Sequence, residues 1–171
     1  MKFYKNPTFK LIKKDIYQII NLKNSEWDYG IPSQLKWFND KKNVFKSDLH
    51  FYLKKNKRIV AYVQLGKRKY VINSKSKNYI LFRTLIVLKN QRGNNLSKKI
   101  MDEVVKFIKL KKKPCFLLCK KKLIKFYKKY GFEELERKKY KLEDHKNTLH
   151  GMIHNINKTD LTNMKKFYYN I

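Results

Sequence analysis

The sequence predicts an α/β (α+β) fold, a mixed and mostly antiparallel sheet of about six to seven strands flanked by about four helices. Three observations carry this expectation. Residues 79–88 (YILFRTLIVL) are nearly continuously apolar, as a strand covered on both faces would be. From Leu96 to Leu110 the apolar residues Leu96, Ile100, Met101, Val104, Val105 and Ile108 recur at helical spacing. Residues 115–119 (CFLLC) are a second short apolar run. The order strand, helix, strand implies a right-handed parallel crossover inside an otherwise antiparallel sheet.

The remaining elements follow in order. Residues 8–13 read as a first strand. Asp15 is an N-cap residue type ahead of a helix to about Lys23, with Ile16, Ile19 and Ile20 on one face. Residues 25–32 (SEWDYGIP) read as a loop, and Ser33 caps a short helix carrying Leu35, Trp37 and Phe38. Residues 48–54 and 58–65 form a strand pair about the turn Lys55-Asn56-Lys57, the second arm continuing to about Ile72. Residues 73–78 (NSKSKN) read as a polar turn. After the apolar strand, residues 89–95 (KNQRGNN) turn into the long helix, which Lys111-Lys112-Lys113-Pro114 ends. Residues 121–130 make a short helix with Leu123, Tyr127 and Tyr130 inward and Gly131 as its stop. A closing hairpin runs over residues 132–142 and 148–156. No repeat, linker or break in composition divides the chain, so one domain over residues 1–171 is expected.

Hydrophobic residues make up 42% and aromatics 15% of 171 residues, ample material for a core and too much for a disordered chain. No run approaches the roughly 18 apolar residues of a membrane span. The start, Met1-Lys2-Phe3-Tyr4-Lys5-Asn6-Pro7, lacks the apolar centre of a secretory signal. A cytoplasmic protein with no membrane partner is expected. Cys115 and Cys119 would lie about 13 Å apart along a strand, beyond the ~7 Å reach of a disulfide, so both are read as reduced thiols. His150 and His154 can share a strand face, but no further ligands accompany them, and no metal is predicted.

The net charge is +30, from 43 Lys and Arg against 13 Asp and Glu. Only five of the cations are arginine: Arg58, Arg68, Arg83, Arg92 and Arg137. Bidentate recognition of phosphates and bases favours arginine. Ala61 is the one alanine, while Asn, Ile, Tyr and Phe abound, a pattern that A/T-rich codons impose. Nucleic acid is therefore a possible partner and not the favoured one. The positive field still attracts polyanions.

The chemistry is concentrated in residues 85–97, Leu85-Ile86-Val87-Leu88-Lys89-Asn90-Gln91-Arg92-Gly93-Asn94-Asn95-Leu96-Ser97. A buried strand, a polar turn and a helix N-terminus together aim backbone N–H groups at an anion. This segment resembles the acetyl-CoA motif of the GNAT superfamily of N-acetyltransferases, a strand ending in an apolar residue five positions before Arg-Gly-x-Gly-x-Gly/Ala. Val87 and Arg92 keep that spacing and Gly93 matches, while Asn95 and Ser97 replace the later glycines. Asn tolerates a left-handed backbone and Ser is small. Residues 123–132, with Tyr127, Gly131 and Phe132, resemble the superfamily's Tyr-x-x-x-Gly-Phe segment. By themselves Tyr127 and Phe132 also read as core aromatics and Gly131 as a helix cap. The two segments occur in order, with a helix and a strand between them. The likeness spans roughly residues 47–154, its specific part being residues 85–132. Asp144-His145-Lys146-Asn147-Thr148-Leu149-His150-Gly151-Met152 is also similar to the closing hairpin of some members.

The resemblance implies a sheet whose two central parallel strands splay apart, with the pantetheine arm of acetyl-CoA (coenzyme A) in the gap. The arm would bond to backbone groups of Leu85, Ile86 and Val87. The pyrophosphate would rest on Arg92, Gly93, Asn94, Asn95, Leu96 and Ser97. Tyr127, also against the cofactor, matches the residue that protonates the departing thiolate. Phenols ionise near pH ~10 and thiols near ~8.5, a workable pairing in cationic surroundings such as Lys120, Lys121, Lys122 and Lys128. Lys98 and Lys99 would lie on the cofactor side. A backbone N–H near Val87 would hold the oxyanion of the tetrahedral intermediate. The reaction implied is direct acetyl transfer to a primary amine in a ternary complex.

No carboxylate lies within residues 79–88, where members that use a base often place one. An amine of pKa about 10.4 is neutral in about one molecule in 2,500 at pH 7, an α-amino group near 8 in about one in ten. Glu26, Asp28, His50 and Glu133 are candidates to deprotonate or orient the acceptor, and otherwise read as surface or loop residues. The acceptor expected is a small molecule or a protein amine, with polyamines disfavoured by repulsion unless Glu26 and Asp28 form a local acidic pocket. Residues 24–46 and 133–150 should shape its site. The second reading, motivated by the +30 charge and the altered glycines, is a basic nucleic-acid-binding module on the same scaffold without catalysis.

Overall fold

The first strand lies at the extreme N-terminus of the computed structural model, which describes residues 1–72, 75–142, 148–163 and 167–169. Strand β1 (Lys2–Pro7) precedes the expected position, and residues 8–10 make one 3₁₀ turn instead. Pairing decides this. β1 runs antiparallel to β2 (Leu49–Lys55) from Lys2↔Lys54 to Pro7↔Leu49, with proline at its last position, and Tyr4 stacks on Tyr52 at 5.1 Å. Helix α1 (Lys13–Asn24) starts two residues before Asp15. Asp15 does not cap it. Its buried carboxylate accepts from the Tyr52 hydroxyl at 2.9 Å and from Lys54 Nζ at 2.6 Å.

Helix α2 (Ile31–Asn39) begins ahead of Ser33, after Gly30 at φ 79° and with Pro32 in its first turn. β2 pairs antiparallel with β3 (Arg58–Ile72). Asn56 and Lys57 both take positive φ, 48° and 63°, as a two-residue hairpin turn requires. Strand β4 (Lys75–Val87) includes residues 75–78, which the sequence assigned to a turn; Asn73 and Ser74 lie outside the described residues. Helix α3 (Leu96–Lys111) and strand β5 (Cys115–Lys120) stand where expected.

The next helix is split into a 3₁₀ turn, Lys121–Leu123, and α4 (Ile124–Lys128). The tighter turn shifts the phase, so Leu123 is 38% exposed while Tyr127 is buried. The expected closing hairpin is interrupted as well. β6 (Glu133–Leu135) pairs antiparallel with β8 (Leu149–His154), but a 3₁₀ turn at Arg137–Lys139 diverts the chain into β7 (Tyr140–Leu142). After α5 (Lys158–Asn163), β9 (Phe167–Tyr169) pairs parallel with β7. Residues 143–147, part of the hairpin likeness, lie outside the described residues.

The main sheet has the order β1-β2-β3-β4-β5-β8-β6, with β4 and β5 parallel and β8 antiparallel to both its neighbours. This is the expected mixed, mostly antiparallel α/β arrangement. The chain forms two compact units, residues 1–66 with 83–104 and residues 67–82 with 105–171. In the first, Ile19, Leu22, Tyr52, Ile59, Tyr62 and Ile86 form one apolar cluster, and Ile20, Phe38 and Val44 a second. In the second, Tyr79, Leu81, Phe116, Leu135, Tyr140 and Ile153 pack together. Gly151 is required there because an added Cβ would meet Tyr140 Cε1 at 2.7 Å. Cys115 and Cys119 are free and buried, and burial raises both thiol pKa values, that of Cys119 to about 11. Among the described residues no helix is long and apolar enough to cross a membrane.

Candidate functional site

In the second unit, β4 pairs with β5 at Ile80↔Cys115 and Leu81↔Phe116, and among the described residues no further β4–β5 pair is formed. In the first unit β4 then kinks. Thr84 has φ 57°, a left-handed backbone that a β-branched residue adopts at a cost of about 1–3 kcal/mol. Tyr79 to Arg83 are buried, whereas Thr84, Leu85 and Val87 are half-buried. Ile86 points into the cluster around Ile19 and Leu22. The strand end is held by Leu88 N–H on the Val60 carbonyl at 2.9 Å.

The turn that follows is built from a 3₁₀ segment, Lys89–Gln91, and two left-handed residues, Gly93 at φ 85° and Asn95 at φ 54°. Nothing lies within 4 Å of a Cβ built on Gly93, so backbone conformation and not space selects glycine. Asn95 takes the conformation that lets it replace a glycine. Residues 92–95 are exposed, Leu96 is buried and Ser97 is half-buried. The first turn of α3 has N–H groups without intrahelical partners, directed outward along its axis. Arg92 braces the turn. Its Nε donates to the Val87 carbonyl at 3.2 Å and its Nη2 to the carboxylate of Glu26. Leu85, Ile86, Val87 and residues 92–97 are thus one continuous kinked strand, turn and helix start.

In the second unit Tyr127 is 5% exposed, its ring edge-on to Phe82 at 5.9 Å, Phe126 at 5.2 Å and Phe132 at 5.9 Å. Phe132 N–H returns to the Tyr127 carbonyl at 3.3 Å. Gly131, at φ 79°, makes that reversal, and an added Cβ there would sit 3.2 Å from His154 Nε2. The core-aromatic reading of Tyr127 and Phe132 is therefore true of their rings. Lys128 lies 3.8 Å from Glu134, which also bonds His150 at 3.0 Å.

The candidate bases part company. Glu26 is brought to Arg92, and Asp28 accepts from Asn24 at 3.3 Å. Glu133 is exposed on β6. His50 is fully buried, with Nδ1 2.7 Å from the Tyr62 hydroxyl and Nε2 2.9 Å from Thr8 Oγ1. Burial, and then the nearby Lys23, push its pKa down to about 3, so it is a structural group and a poor base. Three residues that sequence reasoning did not single out lie together in the first unit. Lys23 Nζ sits 3.7 Å from the centre of the Trp37 ring, and the Arg83 guanidinium lies 5.5 Å from the same centre. Burial, and then Arg83, lower the Lys23 pKa from 10.5 to about 7.

The Acetyltransferase (GNAT) domain family matches residues 46–134 of this chain. No curated protein matches. Among solved structures, Escherichia coli ElaA is similar over 90% of this chain and 98% of its own, at TM-score 0.68 and 17% identity. An acyl-CoA N-acyltransferase from Pseudomonas aeruginosa is similar at TM-score 0.67 and 16% identity, over 90% of this chain and 99% of that one. The Bacillus subtilis N-acetyltransferase YlbP in complex with coenzyme A is similar at TM-score 0.56 and 17% identity, over 89% and 95%.

Proposed function

The chain belongs to the GNAT acetyltransferase family, and on that premise we propose that it binds acetyl-CoA and transfers the acetyl group to a primary amine. One observation carries the reading most: β4 leaves its pairing with β5 after Leu81, kinks at Thr84, and runs through the left-handed Gly93 and Asn95 into the start of α3. That segment fits coenzyme A. Leu85 to Val87, of which Leu85 and Val87 are half-buried, offer backbone groups to a pantetheine arm, and residues 92–97 offer N–H groups to a pyrophosphate. The family match runs through segments of both units, which supports treating residues 1–171 as one acetyltransferase domain.

Acetyl-CoA supplies the activated thioester. The acceptor nitrogen attacks the thioester carbon to form the new C–N bond, and the C–S bond then breaks as the tetrahedral intermediate collapses. A backbone N–H near Val87 stabilises the oxyanion formed between these events. Tyr127 donates a proton to the departing sulfur, and the proton lost by the amine restores the phenol. Direct transfer accords with two buried cysteines whose thiols are shifted upward, away from the reactive thiolate.

The test is thiol release from acetyl-CoA across a panel of amines, small and peptidic. Release that depends on both protein and amine is expected. Tight acetyl-CoA binding with no release for any amine would sink the transferase reading.

A further inference from the structure

The end of β6 leaves a cavity in the second unit. Among the described residues β6 pairs with β8 from Glu133↔Ile153 to Leu135↔Gly151, and the 3₁₀ turn Arg137–Lys139 then carries the chain away into β7. Leu149 and His150 of β8 extend beyond that pairing. The space beside them is about 460 Å³, the size of a small-molecule site, with Glu134, Leu135, Glu136, Tyr140, Leu149 and His150 in its lining. Tyr140 is a fixed wall. Its hydroxyl donates to the Leu149 carbonyl at 3.1 Å, and Arg137, also in the lining, covers its ring at 4.8 Å.

One pair in this lining has the form of a base and its orienter. His150 Nδ1 lies 3.0 Å from Glu134 Oε1, and both side chains are reachable from solvent, at 35% and 41% exposure. A carboxylate only accepts, so the neutral ring carries its hydrogen on Nδ1 and keeps a lone pair on Nε2. Position ties the pair to the proposed chemistry. His150 stands opposite Cys119 near the end of β5, the strand that leads into the helix of Tyr127. Alternation puts His150, Met152 and His154 on one face of β8, and Glu134, opposite Met152, joins them. His154 meets Phe132 at 5.2 Å, and Phe132 meets Tyr127 at 5.9 Å. Lys128, the residue after Tyr127, lies 3.8 Å from Glu134. The neighbouring groups are less fit to take a proton. Burial, and then Glu134, push the Cys119 thiol up to about 11, and Lys138, bonded at 2.7 Å, lowers the pKa of Glu136.

We propose, resting on the transferase reading, that this cavity receives the acceptor and that His150, oriented by Glu134, removes its first proton. Nε2 takes a proton from the ammonium, which frees the nitrogen lone pair for attack, and passes it to solvent. The second proton, lost after attack, is the one that restores Tyr127. The carboxylates of Glu134 and Glu136 favour an ammonium, and Leu135, Leu149 and Tyr140 favour an apolar body. Lys128, Arg137 and Lys138 disfavour a second positive charge. The acceptor class is a small monoamine on an apolar or aromatic stem.

The experiment is thiol release at pH 7 by the full chain and by His150→Ala. The acceptors are phenethylamine, spermidine, a peptide with an unblocked N-terminus, and trifluoroethylamine, which is already neutral at that pH. The parent should prefer phenethylamine. His150→Ala should lose at least tenfold in turnover with phenethylamine, little with trifluoroethylamine, and regain turnover when imidazole is added. In nitrogen NMR spectra of labelled histidine the parent should show the Nδ1–H tautomer, and Glu134→Leu should lose it and turnover together. Phenethylamine should also shift the His150 ring signals in the presence of coenzyme A, a readout independent of transfer. Undiminished or equally diminished rates with the two amines, no recovery with imidazole, or full turnover in Glu134→Leu would overturn the base. Faster release with spermidine or the peptide would overturn the acceptor class. Shifts without release in the parent sink the transfer and leave the cavity standing, whereas release without shifts sinks the cavity and leaves the transfer.

Discussion

Arg92 Nε donates to the Val87 carbonyl at 3.2 Å, so the side chain that opens the phosphate turn also fastens the end of the strand before it. The same guanidinium meets Glu26, whose carboxylate competes with any diphosphate seated on the turn. Glu26→Gln should therefore tighten acetyl-CoA binding about threefold, in keeping with the modest worth of a half-exposed ion pair. Arg92→Ala should weaken it about tenfold, having lost both brace and charge. Calorimetric titration of the two variants decides the matter, and weaker binding by Glu26→Gln would make the carboxylate a support of the turn.

Tyr127 combines two roles that one substitution separates. Its ring is packed against Phe82, Phe126 and Phe132, contacts that Tyr127→Phe preserves. The melting temperature and the acetyl-CoA affinity should stay nearly constant while turnover falls at least tenfold. The loss should be smallest for acceptor reactions run at low pH, where solvent protonates the thiolate more readily. Unchanged turnover would remove the phenol from the mechanism.

Thr84 holds a φ of 57° in the middle of a strand. Thr84→Asn, a residue more at ease there, should stabilise the fold by about 0.5–1 kcal/mol in a urea titration. Acetyl-CoA affinity should be retained, because the kink persists. A destabilised variant would mean that the Thr84 side chain itself holds the kink.

Much of this was legible beforehand because local signals agreed with the final packing. The helical period of residues 96–110 and the apolar run at 79–88 each specify an element and its buried face, and the Arg-Gly turn lies where α3 starts. The first strand was misplaced because β1 gains its identity from pairing with β2, 42 or more residues away, and not from its own pattern. Thr84 gave no sign, since nothing in a threonine announces a left-handed backbone. Lys23 and Arg83 did leave a trace. Lys23 falls on the helical stripe of Ile16, Ile19 and Ile20, and Arg83 is the one charge in residues 79–88. In a chain with 43 cations, two on apolar faces are easily taken for solvated ones.

That buried lysine should write itself into the dependence of stability on pH. Lys23 in the folded chain releases its proton near pH 7, the unfolded chain near 10.5, so between these values the unfolded state holds more protons. Stability then rises with pH across that window, and at pH 7 and below the ammonium is a net cost. Lys23→Met fills the same space without charge. It should raise stability by about 4 kcal/mol at pH 7, and the gain should shrink toward zero above about pH 10. His50, with its folded pKa near 3 against 6.5, acts in a separate range: its neutral form is favoured, and stability is lost as pH falls from 6.5 toward 3. Urea titrations of both chains at pH 4, 7 and 9.5 separate the two groups. The variant should run parallel to the parent's decline in acid, offset above it, and converge on it in the alkaline limb. A variant no more stable than the parent at pH 7 would mean that the parent already keeps a counter-charge at the Trp37 face.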